Sequence, residues 1–549
     1  MSLSNSKHIN SEQLLQESRE KKERRRRHSV ANTTLPRNYG ARYGSSSLPK
    51  YSMPSTGIDA DSAYQILHDE LSLDGSPLLN LASFVATWMP PAADKLMMEN
   101  ISKNLVNQEE YPVTQDLHAR CISILADLWH APSSHLAVGT ATTGSSEAIM
   151  LGGLAMKRIW QEKRRAAGKS IHEPGPNIVM GANAQVALEK FARYFEVEAR
   201  LVPISQESKY RLDPKKAIEY VDENTIGVYV ILGSTYTGHY EPVKEMAELL
   251  DQFEEETGHY VPIHVDGASG AFIAPFATPR LEWDFRIPRV VSINTSGHKF
   301  GLSYVGVGWI IWRTPQHLPK DLIFEIHYLG CVEHSFSLTF SRPAHPVIAQ
   351  YYNFLHLGYQ GYRNAALCSL QNARLLSCAL EVSGYFTVLS DIHRPPSAGM
   401  SLTQLAKYAL DAGDRDDGQN YEPGLPVVAF RFSDEFQAEH PETQQKWIQT
   451  LLRAKGWIVP NYELAPGLAH VQILRVVVRE TLSEALIDRL VKNLLEVTES
   501  LIENNSSSHA LNALGQGRAI PAMHQHEYGR IDKEDMPEHP GESSTYAKL

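Results

Sequence analysis

The sequence predicts an α/β domain with a mainly parallel sheet, followed by a smaller α+β domain. Three observations carry that expectation. Apolar, β-branched runs alternate with helix-period segments between about residues 146 and 312. The runs are apolar on both faces, as strands covered by helices on either side must be. Beyond about residue 370 the pattern changes, with strand-like 427–432 and 472–478 set among helical stretches.

The 549 residues are enough for two or three domains at about 100–200 residues each. Hydrophobic residues make up 42% and charged residues 21%, which supports a buried core. A mostly disordered chain, a collagen-like fibre and a disulfide-rich miniprotein are excluded. The formal charge of −11 argues against a general nucleic-acid or anionic-membrane binder. Cys121, Cys331, Cys368 and Cys378 are too scattered for a disulfide framework or a zinc site. Free thiols in a reducing compartment are expected, and no metal. The N-terminus lacks an apolar signal core, and the most apolar short run, 305–312, is far below the roughly 20 residues of a membrane helix. A cytoplasmic protein is expected.

Each element follows in order. Residues 1–57 are rich in Ser, Asn, Arg and Pro, and are expected to be a disordered tail. The basic run from Lys21 to Arg27 reads as a solvated tail or as a localisation patch, the former being the commoner. Residues 146–165 form an amphipathic helix ending in a charged turn. The run 226–232 is a strand, 243–256 a helix, and 261–265 a short strand ending at Asp266. Strands follow at 290–294 and 305–312, and 482–502 is a long closing helix. The 503–549 tail lacks Trp and mixes both signs of charge, which argues against a calmodulin-binding helix. In such sheets, functional residues belong at the carboxyl ends of strands.

Three segments sit at those positions. Thr142-Thr143-Gly144-Ser145-Ser146-Glu147 leads small and hydroxylated residues into a helix. Free N–H groups and the positive end of the helix dipole suit a phosphate there; plain capping is an equal alternative. Asp266, in HVDGASG (264–270), ends a buried strand and is followed by small residues that leave room for a ligand. A strand-end Asp making a turn is the commoner use of that residue. In SGHKFG (296–301), Lys299 lies in a glycine-flanked loop just past a strand. A desolvated amine there can form a Schiff base with a carbonyl cofactor; a lysine at the sheet edge is the alternative. Together, a phosphate cradle, an acid for a ring nitrogen and a Schiff-base lysine are the parts pyridoxal phosphate requires.

These segments resemble the glutamate decarboxylase family of fold-type-I pyridoxal-phosphate enzymes. NLASF (80–84), EEYP (109–112), KFARYFEVE (190–198), TYTGHYE (235–241), PRV (288–290) and FSRPA (340–344) match in the same order. The resemblance runs from about residue 58 to about residue 500. It implies a fold-type-I transferase-like large domain over 121–369, a small C-terminal domain over 370–502, and an N-terminal segment, 58–120, contributing to a dimer and to the substrate site. It implies that Lys299 carries the Schiff base and that Asp266 holds the pyridine nitrogen protonated. Ser145, Ser146, Ser296 and His298 would lie on the phosphate side, Gln185 over the ring face, and Thr235 at the ring hydroxyl. Ser341 would contact the phosphate of a neighbouring subunit, so a homodimer or higher homo-oligomer with shared sites is implied. Arg475 would take the substrate α-carboxylate. Ser83, the backbone N–H of Phe84, Asn104 and Asn107 would take the distal carboxylate. Asn107, Cys331, His334, Ala271 and Thr339 depart from the family pattern.

The expected reaction is α-decarboxylation of a small acidic amino acid. L-glutamate to 4-aminobutanoate comes first and L-aspartate to β-alanine second, since one methylene is worth only about 1–3 kcal/mol. Transamination on the same cofactor and a non-catalytic paralogue are the rival readings.

Overall fold

The computed structural model describes residues 14–18, 20–21, 51–134, 137–328, 331–396 and 417–503, with backbone alone for 326–328 and 331–334. The basic run beyond Lys21, the candidate calmodulin segment and the side chains of Cys331 and His334 lie outside the described residues. Two compact units divide at Gly75 and Ser76. In the first, helix α1 (Ala60–Leu71) is capped by Asp59, whose carboxylate accepts from the Ser62 amide at 3.0 Å and its hydroxyl at 2.7 Å. Among the described residues no helix is long and apolar enough to cross a membrane.

The second unit is built on a seven-stranded sheet. Its strands are β1 (Val138–Thr142), β2 (Asn177–Gly181), β3 (Glu198–Val202), β4 (Thr225–Ile231), β5 (Ile263–Asp266), β6 (Val290–Thr295) and β7 (Gly308–Trp312), in the order β1-β7-β6-β5-β4-β2-β3. Strands β3, β2, β4, β5 and β6 pair in parallel, while β7 runs against both β6 and β1. Parallel neighbours need crossovers, and here helices supply them. Every residue of β4, β5 and β6 is buried, which explains why these strands read as continuous apolar runs. Strand β5 begins two residues later than the apolar run suggests. Pro262 has no N–H for the ladder, although its carbonyl still accepts from Val228 at 2.9 Å.

Helix α2 (Pro112–Leu128) packs beside β1, and helix α3 (Ser145–Ala166) runs back along the sheet. Helix α4 (Val186–Tyr194) packs on α3, and α5 (Val243–Thr257) forms the β4-to-β5 crossover. The core between α3, α4 and the sheet holds Met156, Leu188, Phe191 and Tyr229. A hairpin, β8 (Phe324–Tyr328) with β9 (Cys331–Ser335), follows β7 and was not foreseen from the sequence.

Helix α6 (His345–Val382) is interrupted at Gly358, whose φ of 57° is left-handed. It then runs unbroken through the expected domain boundary at 369/370. Its second half packs on a four-stranded antiparallel sheet, in the order β10 (Phe386–Val388), β11 (Val427–Phe432), β13 (Gln472–Val477), β12 (Asn461–Glu463). Helix α7 (Glu484–Glu503) joins this second core, with Ile487, Leu490 and Leu494 against Val428, Phe430, Leu474 and Val476.

Helix α3 lies close to the sheet because of a glycine pair. A Cβ on Gly153 would stand 2.4 Å from both Phe191 Cζ and Tyr229 Oη. Mid-helix Gly→Ala ordinarily stabilises by up to about 1 kcal/mol. At Gly153 the sign should reverse, with a net loss of about 1–2 kcal/mol from overpacking. Urea unfolding of Gly153→Ala checks this; an unchanged or raised midpoint refutes the packing account.

Candidate active site

The carboxyl ends of β1, β4, β5 and β6 open on one cavity of about 340 Å³. That is at the small end of ligand pockets, which run from about 300 to 1,000 Å³. Ser145, Ser146, Gln185, Thr235, Asp266, Ser296, His298 and Lys299 all line it. Residues spread over more than 150 positions of sequence are therefore brought to one place by parallel strands delivering the same end.

At one end lies the first turn of α3. Gly144 precedes it without a side-chain cap, so the first N–H groups of the helix are not occupied by one. Ser145 Oγ lies 2.7 Å from Ser296 Oγ. A Cβ on Gly144 would stand 3.1 Å from the His298 ring. Glu147 fixes this turn. One oxygen accepts from the Thr143 amide (2.8 Å) and hydroxyl (3.0 Å), and the other from the Leu338 amide (3.1 Å) and the Thr339 hydroxyl (3.3 Å). Thr339 thus ties the segment after β9 to the cradle.

Asp266 is 4% exposed at the end of β5. Its Oδ1 accepts from the Ala268 amide at 3.1 Å and from Asn294 Nδ2 at 2.9 Å. Between these ends Lys299 Nζ donates to Ser269 Oγ at 3.3 Å. Burial holds the Lys299 amine below its ordinary pKa; Asp266 pulls it back up and Arg475 pushes it further down. Burial, and then the Lys299 charge, lowers His298 to about 4, so its ring is neutral near pH 7.

Phe84 lies under both cations, its ring centroid 5.2 Å from Lys299 Nζ and 5.0 Å from Arg475 Cζ. Arg475 donates to the Thr235 carbonyl at 2.7 Å and to that of Ala82. The strap 80–86 is pinned at Leu81, whose N–H donates to Ile458 and whose carbonyl accepts from Val477, and at Ala86, whose N–H donates to the His298 carbonyl at 2.9 Å. Ser83 Oγ accepts from the Val85 amide at 3.2 Å and does not line the cavity.

Asn104, Asn107 and Ser341 do not line this cavity. They form a separate cluster. Asn104 Nδ2 donates to Ser341 Oγ at 3.2 Å, Asn104 Oδ1 accepts from the Arg342 amide at 3.0 Å, and the Asn107 amide donates to the Asn104 carbonyl at 3.2 Å. Gln185, besides lining the cavity, caps α4 by accepting from the Ala187 amide at 2.6 Å. Ser269, which sequence reasoning passed over, sits in the same DGASG segment as Asp266. Asn294 was equally missed, because it is found only from its pairing with Asp266 across β5 and β6.

The donor set suits pyridoxal phosphate. It offers an uncapped helix start with hydroxyls for a dianion, the buried unpaired Nδ1 of His298 beside it, a carboxylate at the far end and a lysine between. The family profile of the pyridoxal-dependent decarboxylase conserved domain matches residues 49–396. The chain is 48% identical over 475 residues to glutamate decarboxylase of Petunia hybrida, covering 86% of this chain and 87% of that protein. It is 46% identical to that of Saccharomyces cerevisiae over 474 residues, 83% and 80% of the two chains. The solved glutamate decarboxylase of Lactobacillus brevis superposes with a TM-score of 0.75 at 36% identity, covering 84% of this chain and 97% of that one. Fold and site define a fold-type-I, pyridoxal-phosphate-dependent carboxy-lyase. Within that class the chain belongs to the glutamate decarboxylase family.

Buried neutral histidines make stability depend on pH. His118 accepts the Ala141 amide at Nε2 (2.8 Å) and stacks on Trp309; burial, then the Arg342 charge, lowers it to about 3. As pH falls below the unfolded value of 6.5, the unfolded chain takes up protons that His118 and His298 refuse when folded. Their contribution is intact above that value and is lost as pH falls towards about 4 for His298 and about 3 for His118. Glu241, raised by burial from 4.5 to about 6, opposes this over its own narrower window. The urea midpoint should fall between about pH 7 and about pH 5, and less steeply in His118→Gln; identical slopes would refute the neutral buried ring.

Proposed function

We propose that this chain cleaves the α-carboxylate from L-glutamate, releasing CO2 and 4-aminobutanoate. The carrying observation is the one cavity that gathers Lys299, Asp266 and the α3 turn, with Lys299 and Arg475 both against the Phe84 ring. The substrate choice is supported by relatives named glutamate decarboxylase at 46–48% identity over more than 80% of this chain. In the reaction the Cα–carboxylate bond breaks, CO2 departs, and a proton takes its place on Cα. Bound pyridoxal phosphate supplies the electron sink that receives the pair left on Cα.

The residues divide that work. The α3 turn, Ser145, Ser146, Ser296 and His298 hold the phosphate. Asp266 would take the ring nitrogen, Gln185 would cover the ring face and Thr235 would take the ring hydroxyl. Lys299, whose amine burial holds below its ordinary pKa, would provide the attaching amine. Arg475 presents a planar fork to the α-carboxylate and can hold the bond to be broken perpendicular to the ring. On the strap beside Lys299, Ser83 and the Phe84 amide would take the distal carboxylate once Ser83 turns from the Val85 amide. The cluster of Asn104, Asn107 and Ser341 serves the cavity of a second copy, making the active unit a homodimer or higher homo-oligomer. The division into a large domain over 121–369 and a small one over 370–502 belongs to the same proposal. So does a cytoplasmic location, supported by the free thiols Cys121, Cys368 and Cys378.

Purified protein with pyridoxal phosphate, given glutamate and aspartate separately and in competition, should form mainly 4-aminobutanoate. Predominant β-alanine would overturn the substrate assignment, and keto-acid formation in place of CO2 would overturn the reaction. Lys299→Ala should abolish turnover and the visible absorbance of the bound cofactor.

The shared site has its own check. Lys299→Ala and an Asn104→Ala/Asn107→Ala chain, each inactive alone, should recover roughly a quarter of wild-type activity after mixed refolding, since half the dimers are mixed and each holds one intact site. Absence of recovery refutes sharing.

A further inference from the structure

Behind Asp266, on the side away from the cavity mouth, lies a line of polar side chains inside the sheet. His264 and Asp266 alternate by two along β5, so they share a face; Ser292 and Asn294 do the same on β6. The parallel register pairs His264 with Ser292 and Asp266 with Asn294. All four lie in the buried core, His264, Ser292 and Asn294 at 0% exposure. The contacts run Ser292 Oγ to His264 Nδ1 at 2.7 Å, His264 Nε2 to Asn294 Oδ1 at 2.7 Å, and Asn294 Nδ2 to Asp266 Oδ1 at 2.9 Å.

The chemistry of the last contact fixes the direction of the others. An ionised carboxylate only accepts, so the Asn294 amide must turn its NH2 to Asp266 and its oxygen to His264. His264 then carries its proton on Nε2. Its bare Nδ1 accepts from the Ser292 hydroxyl. Every donor points towards Asp266. Hydrogen bonds aligned head to tail in a low-dielectric interior polarise one another. Burial holds His264 below its ordinary pKa, in keeping with the neutral tautomer the chain requires.

The ring has no room to turn away. A Cβ on Gly152 of α3 would stand 2.5 Å from His264 Nδ1, and Tyr229 meets the ring edge-on at 5.2 Å. Tyr229 and Asp266 are the titratable groups facing it.

We propose that Ser292, His264 and Asn294 form a directed hydrogen-bond relay that positions Asp266 as an ionised partner for the cofactor's ring nitrogen. These are positioning residues, acting through Asp266 and touching neither substrate nor cofactor. The proposal rests on the assignment of Asp266 made above. Removing Asn294 leaves the carboxylate with one fewer donor and the imidazole without an acceptor. Removing Ser292 alone leaves the two links nearest Asp266 intact, so its effect should be smaller.

The test measures pyridoxal-phosphate affinity by equilibrium dialysis and the visible spectrum of the bound cofactor across pH. Neither needs substrate turnover. Asn294→Leu should loosen the cofactor by about 10- to 100-fold, the range seen when an outer partner of a ligating side chain is lost. It should also change the balance of visible bands. His264→Phe should act in the same direction, Ser292→Ala by no more than a few fold, and His264→Gln, which retains an N–H donor, should recover part of the loss. A merely structural role would lower the unfolding temperature and leave affinity and spectrum as in wild type, which would overturn the relay.

Asp266→Asn separates the two ideas. If it weakens the cofactor and Asn294→Leu adds little in that background, the relay acts through Asp266. If it weakens the cofactor while Asn294→Leu and His264→Phe leave affinity within twofold, the relay fails and the role of Asp266 stands. If it has no effect, both fail. Should Asn294→Leu not fold, His264→Phe and His264→Gln decide the matter.

Discussion

A carboxylate held in the interior at the end of β5 is the constraint from which the site is built. Burying an ionised acid without partners costs several kcal/mol. Asp266 is therefore possible only because a backbone amide and Asn294 donate to it, and because Lys299 places a cation within its field. Each demands something of the fold. The Ala268 amide requires the turn directly after the strand. Asn294 requires that β6 lie parallel to β5 in this register. Lys299 requires the loop after β6 to return over the same edge. A single buried charge thus selects strand order, register and loop.

The same balance sets the reactivity of the lysine. Burial favours the neutral amine, the nearby carboxylate favours the cation, and Arg475 leans against the cation again. Phe84 offers its ring to both positive groups, at 5.2 Å from Lys299 and 5.0 Å from Arg475. Reactivity here comes from burial acting first, with the neighbouring charges pulling in opposite directions on top of it.

How much was legible in the sequence varied with the range of the interaction. The alternation of buried strands and amphipathic helices is local, so β4, β6, α3 and α5 lie within a residue or two of expectation. Start sites slipped where one residue overruled the pattern, as Pro262 did for β5. The change in pattern near residue 370 marks a new sheet, but the connecting helix α6 runs through it, because helix periodicity carries no record of which core each half faces. The β8–β9 hairpin was overlooked, having no strong turn signal. Ser145, Asp266, Ser296 and Lys299 were readable because strand ends and helix starts announce themselves locally. Asn294 and His264 were not. Their meaning lies in which strand pairs with which, and at what register. The cluster of Asn104 with Ser341 joins segments 237 residues apart, which no local pattern reveals.

The strap at 80–86 carries a consequence for the order of synthesis. Its carbonyls at Ala82 and Val85 are bound by Arg475 and Arg479, 393 and 394 residues further on. Its Ala86 amide binds the carbonyl of His298, in the loop that presents the lysine. Chains emerge amino end first, and contacts of such span close last. Before residues 475–479 emerge, the strap could be tied to the lysine loop at Ala86 but not to either arginine at Ala82 and Val85. A product truncated before residue 475 would therefore carry the lysine and the carboxylate over a strap fixed at one end only.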